Sequence, residues 1–242
     1  MATLTKNYAD EYTGSKFIAK TFLFMFIALL WTAVVSLGLG ALFTYLLLGP
    51  DRAVSETATN VFLGLMIGSA VVVLVMTLWI QLSLLRGKHS LVVPFALYAT
   101  AMGVLLSSFT LYLDFYTLAL AVGLTSLIFG LMALIGFLGG DRIRVFGMIG
   151  IGLLFGAIIL SLFASFIYFF NWGVGYYLNL GISAIMFLAI LLITAFDVYR
   201  IKKIAESGYG TKNLALYCAF SLYVDFIYIL IRILSLLARN RN

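Results

Sequence analysis

The stretch Phe220-Ser-Leu-Tyr-Val-Asp-Phe-Ile-Tyr-Ile-Leu places one aspartate, Asp225, in the middle of an apolar run extending from Asn213 to Leu237. As a helix rising ~1.5 Å per residue, that run sets Asp225 roughly 18 Å from either end. An ionised carboxylate at such depth in a bilayer costs at least ~2.5–3.5 kcal/mol. Asp225 therefore requires a partner, a proton or a cation, and the function is expected to centre on it.

Around Asp225 the polar residues keep helical spacing. Asn213, Tyr217, Ser221, Asp225, Tyr228, Arg232, Ser235 and Arg239 follow one another in steps of three and four, which is one face of an α-helix. A span bathed in lipid would not carry that face. The pattern predicts a central last helix whose stripe turns toward the other spans or a water-filled cavity.

Composition agrees with a membrane solvent. The chain of 242 residues is 64% apolar and only 10% charged, and its mean hydropathy is +1.15. A soluble domain carries about 25% charged residues. Seven apolar runs are long enough to span: Thr21–Leu48, Val61–Leu85, Ser90–Leu113, Phe115–Leu138, Val145–Phe170, Gly175–Tyr199 and Asn213–Leu237. Strands of a membrane barrel are ~10 residues long with strict alternation, a pattern absent here. The expected fold is an all-α integral membrane protein of seven transmembrane helices with the last helix central. Its organisation is an N-terminal cytoplasmic tail (1–20) followed by a transmembrane domain (21–238). The first run is too long for a cleavable signal peptide, and the lone Cys218 makes no intrachain disulfide.

The net charge of +6 is distributed as a topology signal. Lys6, Lys16, Lys20, Arg86, Lys88, Arg142, Arg144, Arg200, Lys202, Lys203 and Lys212 fall on one side, against Arg52, Arg239 and Arg241 on the other. The positive-inside rule then gives a cytoplasmic N-terminus and an external C-terminus; a re-entrant last segment would return the C-terminus inside. Trp79, Trp172, Tyr176 and Tyr177 read as an interfacial aromatic belt. Glycines four apart, at Gly64/Gly68, Gly136/Gly140 and Gly152/Gly156, read as sites of close helix packing.

The sixth run offers a partner for Asp225. It ends Thr194-Ala-Phe-Asp-Val-Tyr-Arg-Ile-Lys-Lys, so Thr194 and Asp197 share a face just inside a basic boundary. Runs six and seven are antiparallel across a short loop, which allows both carboxylates to point into the cytoplasmic half. Two carboxylates in a low-dielectric site cannot both ionise cheaply, so they share a proton and titrate as a unit. Fully ionised, they require a cation, and Ca²⁺ prefers such hard oxygen ligands. Two plainer readings stand beside this one. Asp197 also fits an interfacial residue paired with Arg200, and Asp225 a structural ion-pair partner of Arg232 or Arg86.

Several chemistries are excluded. The single histidine, His89, lies in a loop next to Lys88, leaving neither a Ser-His protease nor a histidine metal site. There is no lysine between Lys88 and Lys202 and none in the last run beyond Lys212, so a retinal Schiff base has no attachment point. Phosphate-loop and dinucleotide fingerprints are absent. The expectation is a non-enzyme without a cofactor, whose partners are the bilayer and calcium, with no nucleic acid.

Two segments resemble a known family. Ala219-Phe-Ser-Leu-Tyr-Val-Asp-Phe-Ile-Tyr-Ile-Leu-Ile-Arg is similar to the last-span pattern of the Bax inhibitor (transmembrane Bax inhibitor motif) family, and Ala195-Phe-Asp-Val-Tyr-Arg-Ile-Lys-Lys-Ile resembles its Tyr-Asp-x-x-x-Ile-Lys signature. Tyr98-Ala-Thr-Ala-Met-Gly-Val-Leu-Leu-Ser-Ser resembles its third span. The chain is identified as a bacterial-type member, which implies residence in the plasma (inner) membrane. The resemblance also implies a pH-sensitive calcium leak with Asp197 and Asp225 as sensor and cation site, and an arginine at the end of span two, here nearest Arg86, that engages the pair when closed. Tyr228 departs from the family, which often has Asn there. The competing class is a non-conducting regulator that binds another membrane protein, such as a membrane protease or cell-death factor; a proton-coupled transporter is a third.

Overall fold

The computed structural model describes residues 14–47, 56–86, 90–170, 172–208 and 210–239. Most of the N-terminal tail and His89 lie outside the described residues, as do the side chains of Arg86, Trp172 and Tyr176. Seven helices account for nearly all the rest: α1 (Ser15–Leu47), α2 (Glu56–Arg86), α3 (Val92–Tyr112), α4 (Phe115–Leu138), α5 (Ile143–Phe170), α6 (Trp172–Ser207) and α7 (Lys212–Arg239). All seven are long and apolar enough to cross a membrane, and no strand occurs among the described residues. Helices dominate because lipid offers the backbone no hydrogen-bond partner, so each segment must satisfy its own amides.

Several helices run past the apolar stretches that predict them, α2 starting at Glu56 rather than Val61. α1 begins at Ser15, which puts Lys16 and Lys20 on the helix, and α6 continues to Ser207, eight residues beyond Tyr199. Helix propensity carries the backbone into the interface once lipid has nucleated it, and long basic side chains there keep their charged heads in water. The last segment is one unbroken helix of 28 residues, about 42 Å at 1.5 Å per residue, which is a full crossing rather than a re-entrant loop.

The turns use local chemistry. Asp114 caps α4, its carboxylate accepting from the Thr117 amide at 3.3 Å and the Thr117 hydroxyl at 2.7 Å. α6 ends at Gly208 with φ +73°, a left-handed conformation that glycine adopts without a Cβ clash. The Thr211 hydroxyl accepts from the Leu214 amide at the start of α7. Between α4 and α5 the chain is pinned to α6, where Tyr199 donates to Asp141 at 2.5 Å and Lys202 donates to the Phe137 carbonyl at 2.9 Å.

α7 is the central helix. Of its most apolar stretch 67% is buried inside the protein, against 50% for α3 and between 6% and 22% for the other five. It packs on α1, α4 and α6 and meets α2 and α3 more lightly, while α5 rests mainly on α6. The aromatic rings of α3 and α7 interlock edge to face, Tyr98 on Phe220 at 4.9 Å and Phe95 on Tyr223 at 5.5 Å, and Phe129 of α4 meets Phe226 at 5.5 Å. At the junction of α1, α3 and α7, the Thr32 hydroxyl lies 2.9 and 3.0 Å from the Ala28 and Ala99 carbonyls, which accept its hydrogen. Tyr223, 2.7 Å away, must then be the donor to the Thr32 oxygen. Since lipid tails are as apolar as leucine, such packing and interhelical hydrogen bonds hold the bundle together.

Close packing involves different glycines from those the four-residue spacing suggests. A Cβ on Gly64, Gly68, Gly152 or Gly156 would meet nothing within 4 Å. Gly136 alone among those six lies in a tight crossing, where a Cβ would come 2.2 Å from the Ala195 carbonyl oxygen of α6. Gly147 and Gly150 of α5 perform the same service against Phe196 and Ile193. Spacing identifies glycines that share a face, but not which face meets a neighbour.

Candidate functional site

α6 and α7 cross with their hydroxyl and carboxylate residues facing each other. Ser221 of α7 donates a hydrogen bond to Asp197 of α6. One turn further into the membrane the roles reverse, and Asp225 of α7 lies against Thr194 of α6. Both aspartates are buried, at 5% and 7% exposure, and close enough to interact through their charges. The antiparallel register produces this arrangement: Thr194 and Asp197 are three apart on α6, Ser221 and Asp225 four apart on α7, so one helical turn on each brings two pairs into line.

The two carboxylates differ in their partners. Asp197 accepts from Ser221 and lies 3.5 Å from the Arg200 guanidinium, one turn along α6. Among the described residues Asp225 makes no ion pair, and its Oδ2 oxygen has no hydrogen-bond partner. The neighbouring Thr194 hydroxyl donates at 2.8 Å to the Ile190 carbonyl of its own helix. A buried carboxylate oxygen without a donor costs about 1–3 kcal/mol, and more when charged, which marks Asp225 as the incomplete member of the pair.

A relay of contacts connects the pair to α2. Arg200 lies over the Tyr217 ring at 5.8 Å, a cation–π approach, and the Tyr217 hydroxyl donates to Gln81 of α2 at 3.2 Å. Neither Gln81 nor Tyr217 stands out as a site residue in the sequence, since Gln81 is an isolated polar residue and Tyr217 is one member of a stripe. Arg200 is the interfacial partner the sequence allows for Asp197. Of the other candidate partners, Arg86 ends α2 with its side chain outside the described residues. Arg232 lines a separate groove toward the far end of α7 with Asn179, Ser183, Ser235 and Arg239. Beyond Asp225 the stripe thus opens outward, Tyr228 being 51% exposed. Tyr177 and Trp79 are exposed on the outer surface as well, at 73% and 53%.

The residues present suit a hard cation in part. Two carboxylates and the hydroxyl oxygens of Ser221 and Thr194 are oxygen donors of the kind Ca²⁺ takes, though a full shell holds about six to eight. No cluster of three or more acidic, histidine or cysteine ligands occurs among the described residues. In this conformation the Arg200 guanidinium stands beside Asp197 where a cation would compete for the same charge.

Seven membrane-crossing helices packed around a polar last helix, with an acidic pair at its crossing with the sixth, define a multi-pass integral membrane protein built around a buried ionisable centre. The chain belongs to the Bax inhibitor family: residues 14–242 match the family described as Inhibitor of apoptosis-promoting Bax1. No curated protein and no solved structure matches it. Membership supports a membrane regulator or channel-like role, and the family is not generally enzymatic.

Proposed function

We propose that this protein is a pH-sensitive leak channel for calcium, gated by protonation at Asp197 and Asp225. The supporting observation is the buried Asp225 carboxylate with an unsatisfied oxygen beside a second aspartate. Among the described residues, two carboxylates and one guanidinium leave one uncompensated negative charge, which a dry site tolerates poorly. A proton on Asp225 cancels it in the closed form. When that proton leaves, the pair attracts a cation, and Ca²⁺ draws Asp197 away from Arg200. The relay through Tyr217 to Gln81 lets that displacement reach α2.

Reconstitution of the pure protein in liposomes tests this directly. Calcium flux is expected to exceed that of empty liposomes and to change with pH across the titration of the pair. A flux equal to that of empty liposomes at every pH would favour the non-conducting regulator, with the same aspartates serving as a lock between α6 and α7.

The proposed setting is the plasma (inner) membrane with a cytoplasmic N-terminus, on the strength of the loop cations. A reporter fused after Asn242 should then be active only outside the cytoplasm. Activity confined to the cytoplasm would reverse the orientation.

A further inference from the structure

At the far end of α7 from the crossing with Asp197, the molecule has a second polar feature that a cation pathway does not explain. A groove of about 120 Å³ lies between the first half of α6 and the last turns of α7, lined by Asn179, Ser183, Arg232, Ser235 and Arg239. On the scale where one water needs about 10–15 Å³, it has room for a tetrahedral oxyanion. Arg232 and Arg239 are seven residues apart, two helical turns, and so point from α7 to the same side. Asn179 and Ser183 are four apart on α6 and bring an amide and a hydroxyl to the opposite wall. The Ser235 hydroxyl is directed instead to the Ile231 carbonyl at 2.7 Å.

Among the described residues, nothing acidic lines this groove. α6 carries no carboxylate before Asp197 and α7 none after Asp225. Arg232, half-buried, is in no ion pair among the described residues. Arg232 lies roughly 10 Å along the axis from Arg239, deeper than an interfacial cation needs to be. A half-buried guanidinium without a counter-charge calls for an anion, and its planar fork matches phosphate oxygens.

We propose that the α6–α7 groove binds a phosphate group, held by Arg232 and Arg239 with hydrogen bonds from Asn179 and Ser183. Leu180 and Leu236, 44% and 48% exposed, also line the groove and would lie along the acyl chains of a ligand that has them. Phosphate reaches this depth either as the headgroup of a phospholipid or as a free anion. The site is independent of whether the protein conducts calcium.

The purified full-length protein in detergent separates these cases. Melting temperature and native mass would be followed on titration with phosphatidylglycerol, with diacylglycerol as its phosphate-free counterpart, and with inorganic phosphate. The expected result is stabilisation and a bound mass for phosphatidylglycerol, little effect of diacylglycerol, and binding weakened roughly tenfold or more in Arg232→Gln. Ser183→Ala, which retains both arginines, should weaken binding by a smaller factor and guards against an unstable Arg232 variant. Stabilisation by inorganic phosphate alone, with the same dependence on Arg232, supports the groove with a free anion as ligand. Equal binding of phosphatidylglycerol by wild type, Arg232→Gln and Ser183→Ala would overturn the proposal. So would no response to either phosphate source, or equal stabilisation by diacylglycerol.

Discussion

Asp225→Asn is expected to leave the protein folded while flattening the pH dependence of calcium flux. Asparagine keeps the size of the side chain and imitates a carboxylate that never loses its proton. Asp225 is in no ion pair among the described residues, and Arg200 is matched by Asp197, so the substitution strands no described guanidinium. On the proposed gating a proton and Ca²⁺ compete for the same carboxylates, so calcium affinity should rise with pH as the proton leaves. In the variant that dependence should shrink, with the affinity held near the wild type's low-pH value. Were Asp225 instead the structural partner of an arginine, the change would strand a buried charge and cost ~3–5 kcal/mol. That outcome would appear as lost expression or a lower melting temperature. A stable Asp225→Asn protein with an unaltered pH profile would contradict both roles.

Gly136→Ala should be strongly disruptive, because its added methyl meets backbone rather than a side chain. The added Cβ would lie 2.2 Å from the Ala195 carbonyl oxygen and 3.0 Å from Val198. Backbone cannot step aside as a flexible side chain can, so α4 and α6 must separate. Overpacking of this kind costs typically ~1–3 kcal/mol and occasionally more. The strain falls two residues from Asp197, so any flux should lose its normal pH response along with stability. Gly152→Ala is the matched control: its Cβ meets nothing within 4 Å. There the gain in helix propensity, up to ~1 kcal/mol, should leave stability equal or higher. Equal melting temperatures for the two variants would refute the tight α4–α6 crossing.

These two glycines show where reading the chain stops being sufficient. Gly136/Gly140 and Gly152/Gly156 have the same spacing, yet only Gly136 touches another helix. In a soluble helix the polar face would reveal which side is outside. α2, α4 and α5 are apolar all round, because their outer faces meet lipid, so their rotation about the axis leaves little trace in composition. Gln81 and Tyr217 are hidden for the same reason, since their contact joins residues 136 positions apart on helices whose relative rotation only packing defines.

α7 is the exception that made the architecture legible. Its repeating polar positions break the apolar pattern, and a span that carries charge at its centre must be enclosed by others. Seven spans, a central last helix and a buried aspartate at Asp225 therefore follow from local composition and period. Tertiary structure decided the rest. It set Asp197 against Ser221 and Arg200, left one oxygen of Asp225 without a partner among the described residues, and separated Arg232 from the acidic pair into a groove of its own. The physical reason is that period records which residues share a helix face, whereas partnership depends on how two faces are rotated and registered against each other. In a bilayer, where apolar surface is indifferent to its neighbour, only the sum of close contacts selects that rotation.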